Sequence, residues 1–172
     1  MNNFNFLVST SRYNEANCKA ELWFILLMYG DKYPLISDFK FPGLITGYSV
    51  LDCHVVVRKL HNLLEEDPDF FQYILKVVPI DYVCKTDPEI IDEFIKRTKN
   101  DHINKTDKFR IRLIRRDSKI IERDEFIDNI ALNFDNPVDL EEPDIIVRFE
   151  ILGKYCGISY LDKNEILRVN SQ

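Results

Sequence analysis

Arginine and lysine crowd into one stretch of this chain. Between Lys96 and Arg123 stand eleven of them against four acids, a local charge of +7 in a protein of net charge −6, so the remainder carries −13. Guanidinium groups contact phosphate oxygens in bidentate fashion, and a polyanion lands where the local field is positive, whatever the total. Arg110, Arg112, Arg115, Arg116 and Lys119 run along and beyond one alternating segment, and Arg148 and Lys154 arrive from a second. A nucleic-acid backbone is the ligand this chemistry fits. The groove geometry of A-form RNA would leave recognition to shape, phosphates and 2′-hydroxyls, with weak base specificity. The competing reading is a solvated strand face whose arginines pair with Asp117, Glu122, Asp124 and Glu125, each exposed pair contributing about 0–1 kcal/mol. Lys96, Arg97 and Lys99, at a helix end, also complement its dipole.

Other chemistries find little support. The cysteines Cys18, Cys53, Cys84 and Cys156 lie one per segment with no C-x-x-C pairing, which reads as reduced, buried thiols. His54 and His61 stand seven apart, about two helical turns, too far to share a metal. Gly43-x-x-x-Gly47 lacks the Gly-Lys-Ser/Thr ending of a phosphate loop. No carboxylate pair stands out as general acid and base, and no nucleophile elbow is present. The expectation is a binding protein without metal, cofactor or catalytic site. Tyr48, Tyr155 and Tyr160 invite the idea of base stacking, but they fall on apolar parities that favour core positions.

The elements that must position the cations follow from periodicity. Phe4 to Thr10 reads as a strand. A helix to Met28, with an N-terminal cap at Asn14 or Glu15, carries Ala20, Trp23, Phe24 and Leu27 on one stripe and Leu22, Ile25, Leu26 and Met28 elsewhere, so deep burial is expected. Tyr33 to Phe39 and Gly43 to Tyr48 read as strands about the Phe41-Pro42-Gly43 turn, Asp52 to Glu66 as a helix, and Tyr73 to Val78 as a strand. Strand, helix, strand, strand, helix, strand is the split βαβ pattern of a ferredoxin-like unit. A helix from Asp87-Pro88 through Thr98 follows, then the alternating strand Lys108 to Arg116, a helix over Arg123 to Leu132, strands Ile145 to Leu152 and Tyr155 to Leu161, and a short polar tail. The fold class is α/β, of the α+β kind. With 45% hydrophobic and 30% charged residues the chain is globular. Its longest apolar run, Leu22 to Tyr29, is far short of the roughly 20 residues that cross a bilayer, and no signal peptide opens it, which places it in the cytoplasm or, in a eukaryote, the nucleus.

The second half resembles a THUMP domain, the RNA-binding module of tRNA-modifying enzymes. The resemblance lies in Phe109-Arg110-Ile111-Arg112 with Arg115-Arg116, the helix ending Ile130-Ala131, the run Val138-Asp139-Leu140-Glu141-Glu142-Pro143-Asp144, the strand Ile145 to Ile151 and the closing Cys156-Gly157-Ile158-Ser159. The first half is similar to the ferredoxin-like unit that precedes such domains, through Phe6 to Thr10, Glu15, Glu21 and Gly30. Val78-Pro79-Ile80 with Cys84-Lys85 resembles the stand-alone branch, the adaptors for tRNA cytidine acetylation. The resemblance implies a ferredoxin-like unit over 1–83, a THUMP domain over 84–165 and a tail over 166–172. It implies a non-enzymatic adaptor that binds tRNA and presents it to an RNA cytidine acetyltransferase forming N4-acetylcytidine. The chain stops about ten residues after the last domain strand, and the expectation is that no catalytic domain is fused to it. Two alternatives stand beside this: an RNA-binding subunit of a split tRNA methyltransferase or thiouridine synthetase, and a protein-interaction module that has lost RNA binding.

Overall fold

The computed structural model describes residues 3–117 and 121–169. The chain forms two compact units, residues 1–80 with 164–172, and residues 81–163. Both are α+β.

In the first unit the elements are β1 (Phe6–Ser9), α1 (Glu15–Met28), β2 (Leu35–Asp38), β3 (Leu44–Tyr48), α2 (Cys53–Glu66) and β4 (Lys76–Pro79). The sheet order is β2-β3-β1-β4, all antiparallel, as the split βαβ pattern requires. Phe6 and Val8 of the central β1 share one parity and meet Leu22, Ile25 and Leu26 of α1 and Val56, Val57 and Leu60 of α2 in one apolar cluster. Truncating a fully buried Phe6 would cost about 3–5 kcal/mol.

Local signals explain the joints. Asp52 caps α2 by accepting from the backbone N–H groups of His54 and Val55 at 2.9 and 3.0 Å. Asn14 occupies the corresponding position before α1 but makes no side-chain cap bond. Glu15 instead accepts from the Gly43 N–H at 2.7 Å, which pins the β2–β3 turn. Gly43 has φ +76 and a Cβ there would sit 2.8 Å from the Thr10 carbonyl oxygen, so only glycine fits. Glu21 takes three backbone N–H groups, of Gln72, Tyr73 and Ile74, and so sets the approach to β4.

Two expectations for this unit fail. α1 is not deeply buried: Cys18, Leu22, Ile25 and Leu26 face the sheet, while Trp23, Phe24 and Met28 on the far side are 49%, 53% and 47% exposed. The polar tail is not all tail either. Leu167 and Arg168 add a short strand antiparallel to β4, with Leu167 fully buried, and Glu165 accepts from Arg58 at 2.8 Å while facing His54 Nδ1 at 3.1 Å.

The second unit holds β5 (Tyr82–Lys85), α3 (Pro88–His102), β6 (Phe109–Arg116), α4 (Arg123–Ala131), β7 (Ile145–Leu152) and β8 (Tyr155–Leu161); the short strand Leu167–Arg168 of the first unit is β9. Its sheet runs β5-β8-β7-β6, with β6 parallel to β7 and the other pairs antiparallel. β5 is a strand the periodicity did not reveal. Asp87 caps α3 through the N–H groups of Glu89 and Ile90, with Pro88 in the first turn. Phe109, Leu113, Phe149, Ile151 and Ile158 meet Ile91, Ile95, Phe126 and Ile130 in a second core. Tyr160 belongs to it, donating to or accepting from Thr98 Oγ1 at 2.9 Å and stacking on His102, so it is no base platform.

Candidate nucleic-acid interface

Strand register decides where the charges go. β6 and β7 are parallel over Phe109↔Ile145 to Arg116↔Leu152, and β7 turns into β8 at Gly153 and Lys154. Gly153 therefore lies beside Arg116, its N–H donating to the Arg116 carbonyl at 3.0 Å. On the far side of β8, Lys85 pairs with Tyr155, and the Thr86 N–H donates to the Lys154 carbonyl at 2.9 Å. The C-terminal ends of β5 and β6 and the β7–β8 turn thus meet at one end of the sheet, bringing Lys85, Lys154, Arg116 and Arg115 into one row.

Within that row Lys85, Lys154 and Arg115 are exposed and Arg116 is half-buried. Arg115 donates to the Ile121 carbonyl at 2.5 Å, which aims its guanidinium across the end of β6, and Lys154 lies over the Tyr155 ring. The Arg116 side chain makes no hydrogen bond or ion pair among the described residues. Lys85 was not among the residues singled out from the sequence. It lies outside the basic run, and only the pairing of β5 with β8 carries it to the others.

The remaining candidates divide. Arg112 is exposed on β6. Arg110 is half-buried, with Nη1 donating to the Leu140 carbonyl at 2.8 Å and Nε buried without a hydrogen-bond partner among the described residues. Arg148 does not reach the surface. It and Glu150 are each 2% exposed, and its Nε and Nη2 donate to one Glu150 oxygen at 2.8 and 2.5 Å. Both side chains point away from Val147 and Phe149, as alternation requires, but that face is buried at this point of β7. Lys119 lies outside the described residues.

The acidic run before β7 is largely engaged in building β6. Val138 bridges to Phe109, the Phe109 N–H donates to the Pro137 carbonyl, and Asp144 accepts from the Lys108 N–H at 2.8 Å. Asp139 accepts from the N–H groups of Glu142 and Glu141 and from Lys108 Nζ, and these bonds, that of Glu142 foremost, hold its carboxyl down at about 2. The Val-Asp-Leu-x-x-Pro-Asp run is therefore a clamp on the first residues of the cationic strand.

A THUMP domain matches residues 84–161. That stretch is nearly all of the second unit and carries the whole cationic row. No curated protein sequence matches the chain. Solved structures resemble it in fold: PH1313 from Pyrococcus horikoshii Ot3, at 16% identity and TM-score 0.68 over 96% of this chain and 55% of that one; a 4-thiouridine synthetase in complex with RNA and ATP, at 14% and 0.55 over 96% and 42%; and TrmN from Thermus thermophilus, at 14% and 0.54 over 90% and 44%. The chain spans about half the length of these proteins. No helix among the described residues is long and apolar enough to cross a membrane.

Proposed function

We propose that this chain binds tRNA through the cationic end of its THUMP sheet and holds it for chemistry performed by a separate enzyme, an RNA cytidine acetyltransferase that forms N4-acetylcytidine. One observation carries the RNA half: the THUMP match and the row Lys85, Arg115, Arg116 and Lys154 fall on the same unit. Cations on a rigid sheet end would contact phosphates without reading bases. A fold neighbour solved with RNA supports the same ligand. The adaptor half draws support from the Val78-Pro79-Ile80 and Cys84-Lys85 resemblance and from a row that supplies binding charges rather than a nucleophile and base.

The test is binding of bulk tRNA by the purified chain across a salt titration. Four phosphate contacts give a slope of log K against log salt of about −3 to −4. A slope near zero would leave a protein-interaction module. A second reading is favoured by the fold neighbours, one of them a 4-thiouridine synthetase: an RNA-binding subunit of a split thiolating or methylating enzyme. Nucleoside analysis of tRNA from a deletion strain separates the two. Loss of N4-acetylcytidine supports the acetylation reading, and loss of 4-thiouridine or a methylated nucleoside supports the other.

A further inference from the structure

We propose that the groove between α3 and α4 docks a basic, apolar-anchored peptide segment of a partner protein. The proposal rests on the adaptor reading and names the surface through which the enzyme would be held. The groove has a volume of about 550 Å3, within the size range of built binding sites. Ile121, Phe126 and Ile130 make an apolar floor. Its rim is acidic: Glu89 and Asp92 from α3, Glu122 and Glu125 from α4. Lys96, the cation in the lining, is already held by Asp92 at 2.5 Å. Leu132, 85% exposed, extends the apolar surface at one end.

Charge complementarity selects the occupant. Four carboxylates against one neutralised ammonium repel a phosphate backbone, so this groove and the cationic row are not one RNA site. A second copy presenting the same groove would set carboxylates against carboxylates. An amphipathic segment with Leu, Ile or Phe on one face and Lys or Arg beside it satisfies floor and rim together, as helix-in-groove recognition does. Location adds to this. Arg115 donates to the carbonyl of Ile121, the residue that opens the floor, so the groove starts where the cationic row ends. A segment bound there lies next to RNA held on the row.

The probe is a fluorescein-labelled helical peptide of Leu and Lys, titrated against the full chain, with amide chemical shifts of the 15N-labelled protein locating the contact. The expected result is saturable binding with shifts confined to α3 and α4. Replacing the peptide's Leu by Ser, or combining Glu89→Lys with Glu125→Lys, weakens it at least tenfold. Glu89→Gln with Glu125→Gln gives an intermediate loss in a protein whose spectrum shows an unchanged fold. Glu65→Lys with Glu66→Lys, the same charge change on α2, leaves binding within twofold. Shifts elsewhere, equal binding of the Ser peptide, equal loss in the α2 variant, or self-association of the chain through the groove would overturn the proposal. tRNA binding is measured on the same proteins. Peptide binding without tRNA binding removes the RNA half of the adaptor reading and leaves the groove; tRNA binding without peptide binding does the reverse.

Discussion

Arg112 and Arg148 are register partners on adjacent parallel strands, yet one is exposed and the other almost wholly buried. β6 is the edge of its sheet and β7 lies inside it. Both strands alternate arginine with apolar residues, so a count of charge treats them alike. Topology separates them: an edge strand with eight residues delivers arginines to solvent and to the sheet end, whereas an internal strand must neutralise its arginine within the structure. Arg148 has Glu150 two residues on, on the same face, in a bond whose closest contact is 2.5 Å. The +7 run is therefore a surface feature, and the arginine outside it is an internal one.

The largest expected effect breaks that internal pair. Arg148→Ala leaves the Glu150 carboxylate buried and uncompensated, and denaturant unfolding should show a loss of about 3–5 kcal/mol. Glu150→Leu added to Arg148→Met removes both charges and should restore most of that stability. The folded double variant should keep wild-type affinity for tRNA. A large loss of tRNA binding in that variant, with stability restored, would place Arg148 among the ligand contacts after all.

The second effect falls on the edge strand and has the opposite signature. Arg115→Ala with Arg116→Ala removes two of the four cations in the row, so the salt slope for tRNA should drop by about 2 and affinity at low salt by tenfold or more. Unfolding free energy should move by no more than about 0.5 kcal/mol, since neither residue makes a buried ion pair. Lys85→Ala and Lys154→Ala follow, each removing one contact and lowering the slope by about 1. Lys85 is the sharper of these, because sequence charge places it far from the run and only β5–β8 pairing places it in the row.

The strand and helix order of both units was readable because Asp52, Asp87-Pro88 and Gly43 do the jobs their types suggest, and because Phe6, Val8, Phe109 and Leu113 keep strand parity. What stayed hidden depended on partners distant in sequence. β5 is four residues between two aspartates, and β9 is two, so neither has a period to detect. Their pairings with β8 and β4 are what define them. α1 failed for another reason: it is apolar all round, which sequence reasoning equates with burial, while the structure buries Leu22 and Ile25 and leaves Trp23 and Phe24 half in solvent. In the candidate site, parity correctly set Arg148 opposite Val147, but parity cannot tell a solvated face from a covered one.

The smallest effect probes how the cationic edge strand is fastened. Asp139 is fully ionised at neutral pH, and its carboxyl is held at about 2 by the N–H of Glu142, the Lys108 ammonium and the N–H of Glu141, against an ordinary value near 3.8. A depressed folded-state pKa means that its contribution is whole above about pH 4 and is lost as pH falls toward 2. Asp139→Asn should therefore lower stability at pH 7 and flatten the acid limb between pH 4 and 2, measured by denaturant midpoints at each pH. Because the clamp orders Lys108 and Phe109 rather than the far end of β6, tRNA binding by the folded variant should stay within about twofold. A tRNA loss as large as that of the Arg115 and Arg116 double variant would show that the start of β6, and not its C-terminal end, is where RNA is held.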